Sequence, residues 1–187
     1  ADAHFSDLAR AMGVKLAESA GSVFLISADG VFVTNHHVLG SATRAEVALR
    51  DGRRFSQVEV LVADPTNDLV LAKIDAKGLP YAPLAAEAGV VGAQAYAIGS
   101  PLGLEYSLTQ GIVSAHRDMQ GTAFLQMQTD IAPGSSGGPL FDDRGAVMGV
   151  NTAVRYPGLN LAVDVQYVHA LLQACLLYTS DAADEHS

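Results

Sequence analysis

From residue 21 onward, short apolar runs alternate with clusters of Gly, Pro, Asp and Asn, the pattern of many short strands joined by tight turns. Ser22-Val23-Phe24-Leu25-Ile26-Ser27 reads as a buried strand, Ala28-Asp29-Gly30 as a hairpin turn, and Val31-Phe32-Val33-Thr34 as the returning strand. Shorter strands are expected at 46–49, 54–55 and 58–62, with a hairpin turn at Asp51-Gly52. Residues 79–88 carry Pro80 and Pro83 and few charges, so the chain is expected to pass from one half to the other there. Strands resume at 93–98, 124–130, 146–154 and 159–163, with Asp142-Asp143-Arg144-Gly145 as another hairpin turn and 165–174 as a closing helix. The start carries two patterns at once. Phe5, Leu8, Met12 and Leu16 have the spacing of an amphipathic helix over 4–19, while 14–16 also suits the opening of a strand. Short, evenly spaced strands with Gly-rich turns predict an all-β double barrel, with a cleft between the barrels where residues from both halves meet.

Composition narrows the function without naming it. With 187 residues, 49% of them hydrophobic, the chain has apolar material for one compact domain or two tightly joined halves. No apolar run is long enough to span a bilayer as a helix. A formal charge of −9 argues against a nucleic-acid surface, which needs clustered Lys and Arg. The single cysteine, Cys175, allows no intramolecular disulfide. The sequence opens Ala-Asp-Ala with no initiator methionine and no signal-peptide pattern, as expected if a leader had been removed or the sequence were a fragment. Residues 175–187 look like the in-frame translation of a DNA-sequencing transposon adapter, so the natural sequence is expected to stop near Ala174.

The chemistry centres on Asp130-Ile131-Ala132-Pro133-Gly134-Ser135-Ser136-Gly137-Gly138-Pro139-Leu140. A serine hydroxyl is a poor nucleophile at neutral pH, and a hydrolase built on one needs a base for its proton and backbone donors for the oxyanion. Glycines beside the serine let the chain turn sharply and lie close to a bound peptide. Without partners, the same stretch is an ordinary Gly/Ser-rich loop. Upstream, Thr34-Asn35-His36-His37-Val38-Leu39 offers imidazole, which titrates near neutral pH and can take a proton and return it. Adjacent strand residues face opposite ways, so His36 and His37 are not expected to share a metal, and no ligand set follows at a useful spacing. His116, His169 and His186 lie in no motif and read as surface or packing residues.

Together these stretches resemble the trypsin-like serine proteases, and within them the HtrA/Deg group. Residues 134–140 are similar to that group's nucleophile loop, 34–38 to its Thr-Asn-x-His-Val, and 67–73 to its Asn-Asp-Leu-Ala-Leu-Leu-Lys. Gly99-Ser100-Pro101-Leu102-Gly103-Leu104 and residues 107–115 are similar to Gly-Asn-Pro-Phe-Gly-Leu and Thr-x-Gly-Ile-Val-Ser-Ala. The resemblance implies Ser136 as nucleophile, His37 as general base and Asp68 as the carboxylate that orients it, in the chymotrypsin order. Asp64, which precedes a proline in a turn, is the disfavoured competitor for the third role. The oxyanion donors implied are the backbone N–H groups of Ser136 and Gly134, assisted by Ser135. Asn151, Thr152 and Ala153 would line the pocket and pair with an extended substrate. For the pocket itself two assignments stand. Motif matching puts Ile131 there and implies small or medium aliphatic side chains at the cleavage site, whereas counting back from Ser136 puts Asp130 there and implies Lys or Arg. The chain departs from the group at Ser22-Val23-Phe24, where Gly-Ser-Gly-Phe is usual, in a shorter loop before Ser136, and in compact segments at 116–122 and 155–158.

What the resemblance implies as a whole is two six-stranded antiparallel β-barrels with short terminal helices, the first over about 14–78, a linker at 79–90 and the second over about 91–174. The expected activity is cleavage of unfolded or misfolded polypeptides through an acyl-enzyme, with no cofactor, metal or nucleic acid. A homotrimer, a lost C-terminal PDZ-type domain and a cell-envelope or periplasmic location come from the same source. The alternative is a peptide-binding, chaperone-like module whose triad is misassembled.

Overall fold

A computed structural model of the chain describes residues 8–16, 21–40, 45–100, 106–128, 134–152, 156 and 158–184, with the backbone alone at 14–16 and 178–184. Seven strands build the first half: β1 (Met12–Leu16), β2 (Gly21–Leu25), β3 (Val31–Asn35), β4 (Glu46–Leu49), β5 (Arg54–Phe55), β6 (Val58–Asp64) and β7 (Leu69–Ile74). They form one curled antiparallel sheet in the order β5-β4-β1-β2-β3-β7-β6. A single helical turn, α1 (His36–Leu39), leaves the end of β3. The second half has β8 (Gln94–Gly99), β9 (Ser107–Met119), β10 (Thr122–Met127), β11 (Pro139–Phe141), β12 (Val147–Thr152) and β13 (Leu161–Asp164), closed into a six-stranded barrel. Helix α2 (Gln166–Asp184) follows. This is the chymotrypsin-like double barrel, the first half being a half-barrel of seven strands and the second a full closure.

Strand lengths explain the closure. β9 is long enough to pair with β8 as far as Ile112 and then with β10 from Val113 onward, so one bent strand joins two edges that would otherwise be open. The halves share one interior, and the barrel has a second of its own around Ala97, Val113, Leu125 and Met148. One apolar cluster takes Phe24, Phe32 and Leu71 from the first sheet together with Phe124, Phe141 and Val147 from the barrel. The connection between them is tied to both: Ala82 N–H donates to Leu25 O at 2.9 Å, and Val147 N–H to Pro83 O at 2.8 Å. Facing residues of the two halves are therefore held rigidly across their seam.

The ambiguous start holds both patterns in turn, with residues 8–9 helical and Met12–Leu16 a strand. Met12–Leu16 pairs with β2 on one side and β4 on the other, with Met12 fully buried, so ladder hydrogen bonds override the helical spacing of the apolar residues. Residues 1–7 and 17–20 lie outside the described residues. At the other end the helix runs well past residue 174, because no Gly or Pro between 166 and 184 stops it. Its Val168 and Leu171 are buried, and α2 packs on β6 and β7. His169 has a packing role: its Nε2–H donates to Ala85 O at 2.7 Å. His116 is exposed, and His186 lies outside the described residues. Among the described residues no helix is long and apolar enough to cross a membrane.

Candidate active site

β3 ends at Asn35 and the chain turns at once into α1, so the two histidines lie on a helical turn and not on a strand as expected. The separation of their side chains survives the change, since successive residues of a helix are rotated by about 100°. His37 comes to face Asp68, which precedes β7, and the contact is tight. Asp68 Oδ2 is 2.7 Å from His37 Nδ1, and Asp68 Oδ1 accepts the His37 backbone N–H at 2.9 Å. A carboxylate only accepts, so the imidazole carries its proton on Nδ1 and turns the lone pair of Nε2 outward. The ring is about one-third exposed while the carboxylate is nearly buried, at 36% and 10% of their side-chain surfaces. His37 thus has Nδ1 held by the protein, on a ring that is part exposed.

Asp68 is itself held on every side. Its carbonyl accepts His36 N–H at 2.9 Å and Asn35 Nδ2–H at 3.1 Å. Its φ of 57° lies in the left-handed region, uncommon for a residue with a side chain. The turn before it supplies the restraint. Asp64 accepts Asn67 N–H at 3.1 Å and Asn67 Nδ2–H at 2.7 Å, an Asx-type turn. From the other barrel, buried Thr122 donates its hydroxyl to Asn67 Oδ1 at 2.8 Å. Asp64 therefore shapes the turn that presents Asp68.

The loop from Gly134 to Gly138 is brought to this pair by β2 and β3. Ser22 N–H donates to Ser136 O and Ser22 Oγ–H to Gly134 O, both at 2.9 Å. Gly137, at φ 88°, is wedged against the strand that leads to His37: a Cβ there would sit 2.2 Å from Thr34 Oγ1 and 2.3 Å from Ser22 O. On its other side the loop bonds to β12, Gly137 N–H to Asn151 O and Asn151 N–H to Gly138 O, each at 2.8 Å. Ser135 lies over Gly99, where any side chain would collide with its hydroxyl. Ser135 and Ser136 are both buried. The structure thus brings His37, Asp68, Gly134, Ser135, Ser136, Asn151 and Thr152 to one seam. Ile131, Asp130 and Ala153 lie outside the described residues, as do residues 101–105.

The whole stretch from β2 to β12 matches a known domain: residues 21–150 fit the family profile described as Trypsin-like peptidase domain. The chain belongs to the trypsin-like peptidase family. The probable periplasmic serine endoprotease DegP-like of Ectopseudomonas mendocina (strain ymp) is 41% identical over 160 residues, which cover 80% of this chain and 34% of that protein. The putative serine protease HhoA of Synechocystis sp. (strain ATCC 27184 / PCC 6803 / Kazusa) is 38% identical over 164 residues, 81% of this chain and 41% of that one. Among solved structures, the HtrA-type protease AlgW with tripeptide superposes with a TM-score of 0.81 at 33% identity, covering 91% of this chain and 62% of that chain. The serine endoprotease from Yersinia pestis gives 0.81 at 29% identity, with 93% and 65% covered. This trypsin-like peptidase chain spans about a third of the length of its DegP-like relative.

Within this peptidase fold the site is bordered by buried polar atoms without a hydrogen-bond partner among the described residues: Asn35 Oδ1, Ser100 Oγ, Asn151 Oδ1 and Thr152 Oγ1. Beside the 101–105 stretch, burial pushes the Tyr106 hydroxyl up to about 12, with Arg50 pulling the other way, so the phenol is a neutral group and no competing base. An open cavity of about 590 Å³ lined by Leu39, Val58, Lys73 and Ile74 includes none of the site residues. Among the described residues no three His, Cys, Asp or Glu side chains gather as a metal site. Sequence reading passed over Ser22, Asn35, Asn67 and Thr122. Each is a polar residue beside or within a run that is otherwise apolar or already part of a motif, and that mismatch is the signal that would have found them.

Proposed function

We propose that the chain is the proteolytic domain of an HtrA/Deg-type serine endopeptidase that cuts unfolded or misfolded polypeptides. The observation that carries this reading is the His37 Nδ1 to Asp68 Oδ2 contact of 2.7 Å, beside a serine loop bound to the same strands. Ser136 Oγ attacks the scissile carbonyl as its proton passes to His37 Nε2, and Asp68 stabilises the imidazolium that forms. The N–H groups of Ser136 and Gly134 receive the oxyanion. Collapse of the tetrahedral intermediate gives the acyl-enzyme, with the His37 proton leaving on the amine. Water, deprotonated by the same imidazole, then releases the acid and restores the serine.

Substrate selection follows from the strand beside the loop. In the Asn151, Thr152 and Ala153 stretch, Asn151 is bonded to the loop and Thr152 paired with β13, so pairing with an extended backbone is proposed from Ala153 onward, a mode open to unfolded chains because a folded protein's backbone is already paired. Ile131 is the proposed pocket residue. The DegP-like relative is named periplasmic, and the same compartment is proposed here.

The test is digestion of a reduced, carboxymethylated protein and of the same protein folded, with cleavage sites read by mass spectrometry. Rapid cutting of the unfolded form after Val, Ala, Ile or Leu is expected. Cutting confined to Lys and Arg would replace Ile131 by Asp130 as the pocket residue. No cutting of either form would overturn the endopeptidase reading.

A further inference from the structure

Ser22 is fully buried in β2, between Gly21 and Val23, and belongs to the first half of the fold while the nucleophile loop belongs to the second. We infer that Ser22 is a positioning residue that sets the direction of both oxyanion donors from the opposite barrel. This rests on the serine-peptidase reading given above.

The geometry is a two-point grip. Ser22 N–H holds the carbonyl of Ser136 and Ser22 Oγ–H holds the carbonyl of Gly134, both at 2.9 Å. These are the two residues whose own N–H groups are proposed to receive the oxyanion. Thr34 Oγ1–H donates to Ser22 O at 2.8 Å, so the gripping residue is fixed by the strand that carries the chain to His37. Any residue but proline at position 22 would keep the backbone bond to Ser136. The bond to Gly134 needs the hydroxyl.

That second bond matters because of what it restrains. Gly134 has φ 90° and no Cβ, so its backbone has few steric limits of its own. A peptide unit is planar and trans, so holding the Gly134 oxygen toward β2 directs the Ser135 N–H away from it. The Gly134 N–H lies in the preceding peptide unit, joined to this one through the Gly134 φ and ψ, so anchoring the carbonyl narrows the directions that N–H can take. A donor preorganised in this way needs no reorganisation when the oxyanion forms, which is the source of its catalytic value. Loss of the hydroxyl leaves the loop attached at Ser136 and lets Gly134 turn.

The experiment compares the intact chain with Ser22→Ala. In the intact chain, Ser136 Oγ displaces fluoride from a fluorophosphonate probe, and its proton passes to His37. Ser22→Ala is expected to lower the second-order labelling rate by roughly tenfold to a hundredfold, the range associated with a misplaced catalytic donor. Affinity for a peptide boronate, which places an oxygen in the oxyanion site, should fall in parallel. Binding of an unreactive substrate-like peptide, measured by calorimetry in a Ser136→Ala background, should be the same with and without the Ser22→Ala change. Ser22→Cys, close in size but with only a weak S–H donor, reads the same effect if Ser22→Ala does not fold. Labelling at the parental rate in a folded variant overturns the inference. An equal loss of peptide binding and labelling overturns it as well, because that would mark a general structural role. An intact, folded chain that takes no label overturns the peptidase reading itself, and the assignment of Ser22 with it.

Discussion

Asp68→Asn is expected to leave the fold standing and to lower peptide turnover by about four orders of magnitude. The amide matches the carboxylate in shape. Its oxygen can keep the hydrogen bond from the His37 backbone N–H, now 2.9 Å from Oδ1, and that choice turns the NH₂ group toward His37 Nδ1 in place of Oδ2. An NH₂ group donates, so the ring is driven to carry its proton on Nε2, where the base needs its lone pair. The buried carboxylate that would stabilise imidazolium is lost in the same step. Steady-state turnover and thermal unfolding, measured side by side, check this. Turnover within tenfold of the parent would remove Asp68 from the mechanism.

Gly137→Ala is expected to fail differently, through the fold. Its new methyl group would lie 2.2 Å from Thr34 Oγ1 and 2.3 Å from Ser22 O, the second a backbone atom that cannot swing aside. The positive φ of 88° adds strain for any residue with a side chain. Together these should destabilise the protein by about 3 kcal/mol or more, with a fall in melting temperature of roughly 6–12 °C for a chain of this size. The loop would also lift away from the strand leading to His37, and turnover should drop even in the fraction that stays folded. Unchanged melting and turnover would show that the loop does not sit against β2 and β3 as described.

Much of this architecture was legible because local signals agreed with the global fold. The turns at Asp51-Gly52 and Asp142-Asp143-Arg144-Gly145 sit between apolar runs, and the strands flanking them appear where that punctuation puts them. The triad candidates came from resemblance, and in the residues themselves only the proline after Asp64 sets it apart from Asp68. The structure separates the two by contact: Asp64 is spent on Asn67, and Asp68 on His37. Other features depend on long-range partners and leave no local trace. The Met12 end of β1 is extended because β2 and β4 flank it, although the apolar residues there carry helical spacing. The left-handed backbone of Asp68 is imposed by Asn67 and by Thr122 of the other barrel, 55 positions away from Asn67 in sequence. The role of Ser22 is hidden for the same reason, since its partners lie more than a hundred positions downstream.

The reading depends on Ser136 being the nucleophile, and a direct measurement is the site of covalent attachment. The folded chain is treated with a fluorophosphonate probe, digested, and the adduct located by mass spectrometry, with Ser136→Ala treated in parallel. The expected result is a single adduct on Ser136 and none in the variant. An adduct on the neighbouring Ser135, a label that persists in Ser136→Ala, or no label on the folded chain would contradict it.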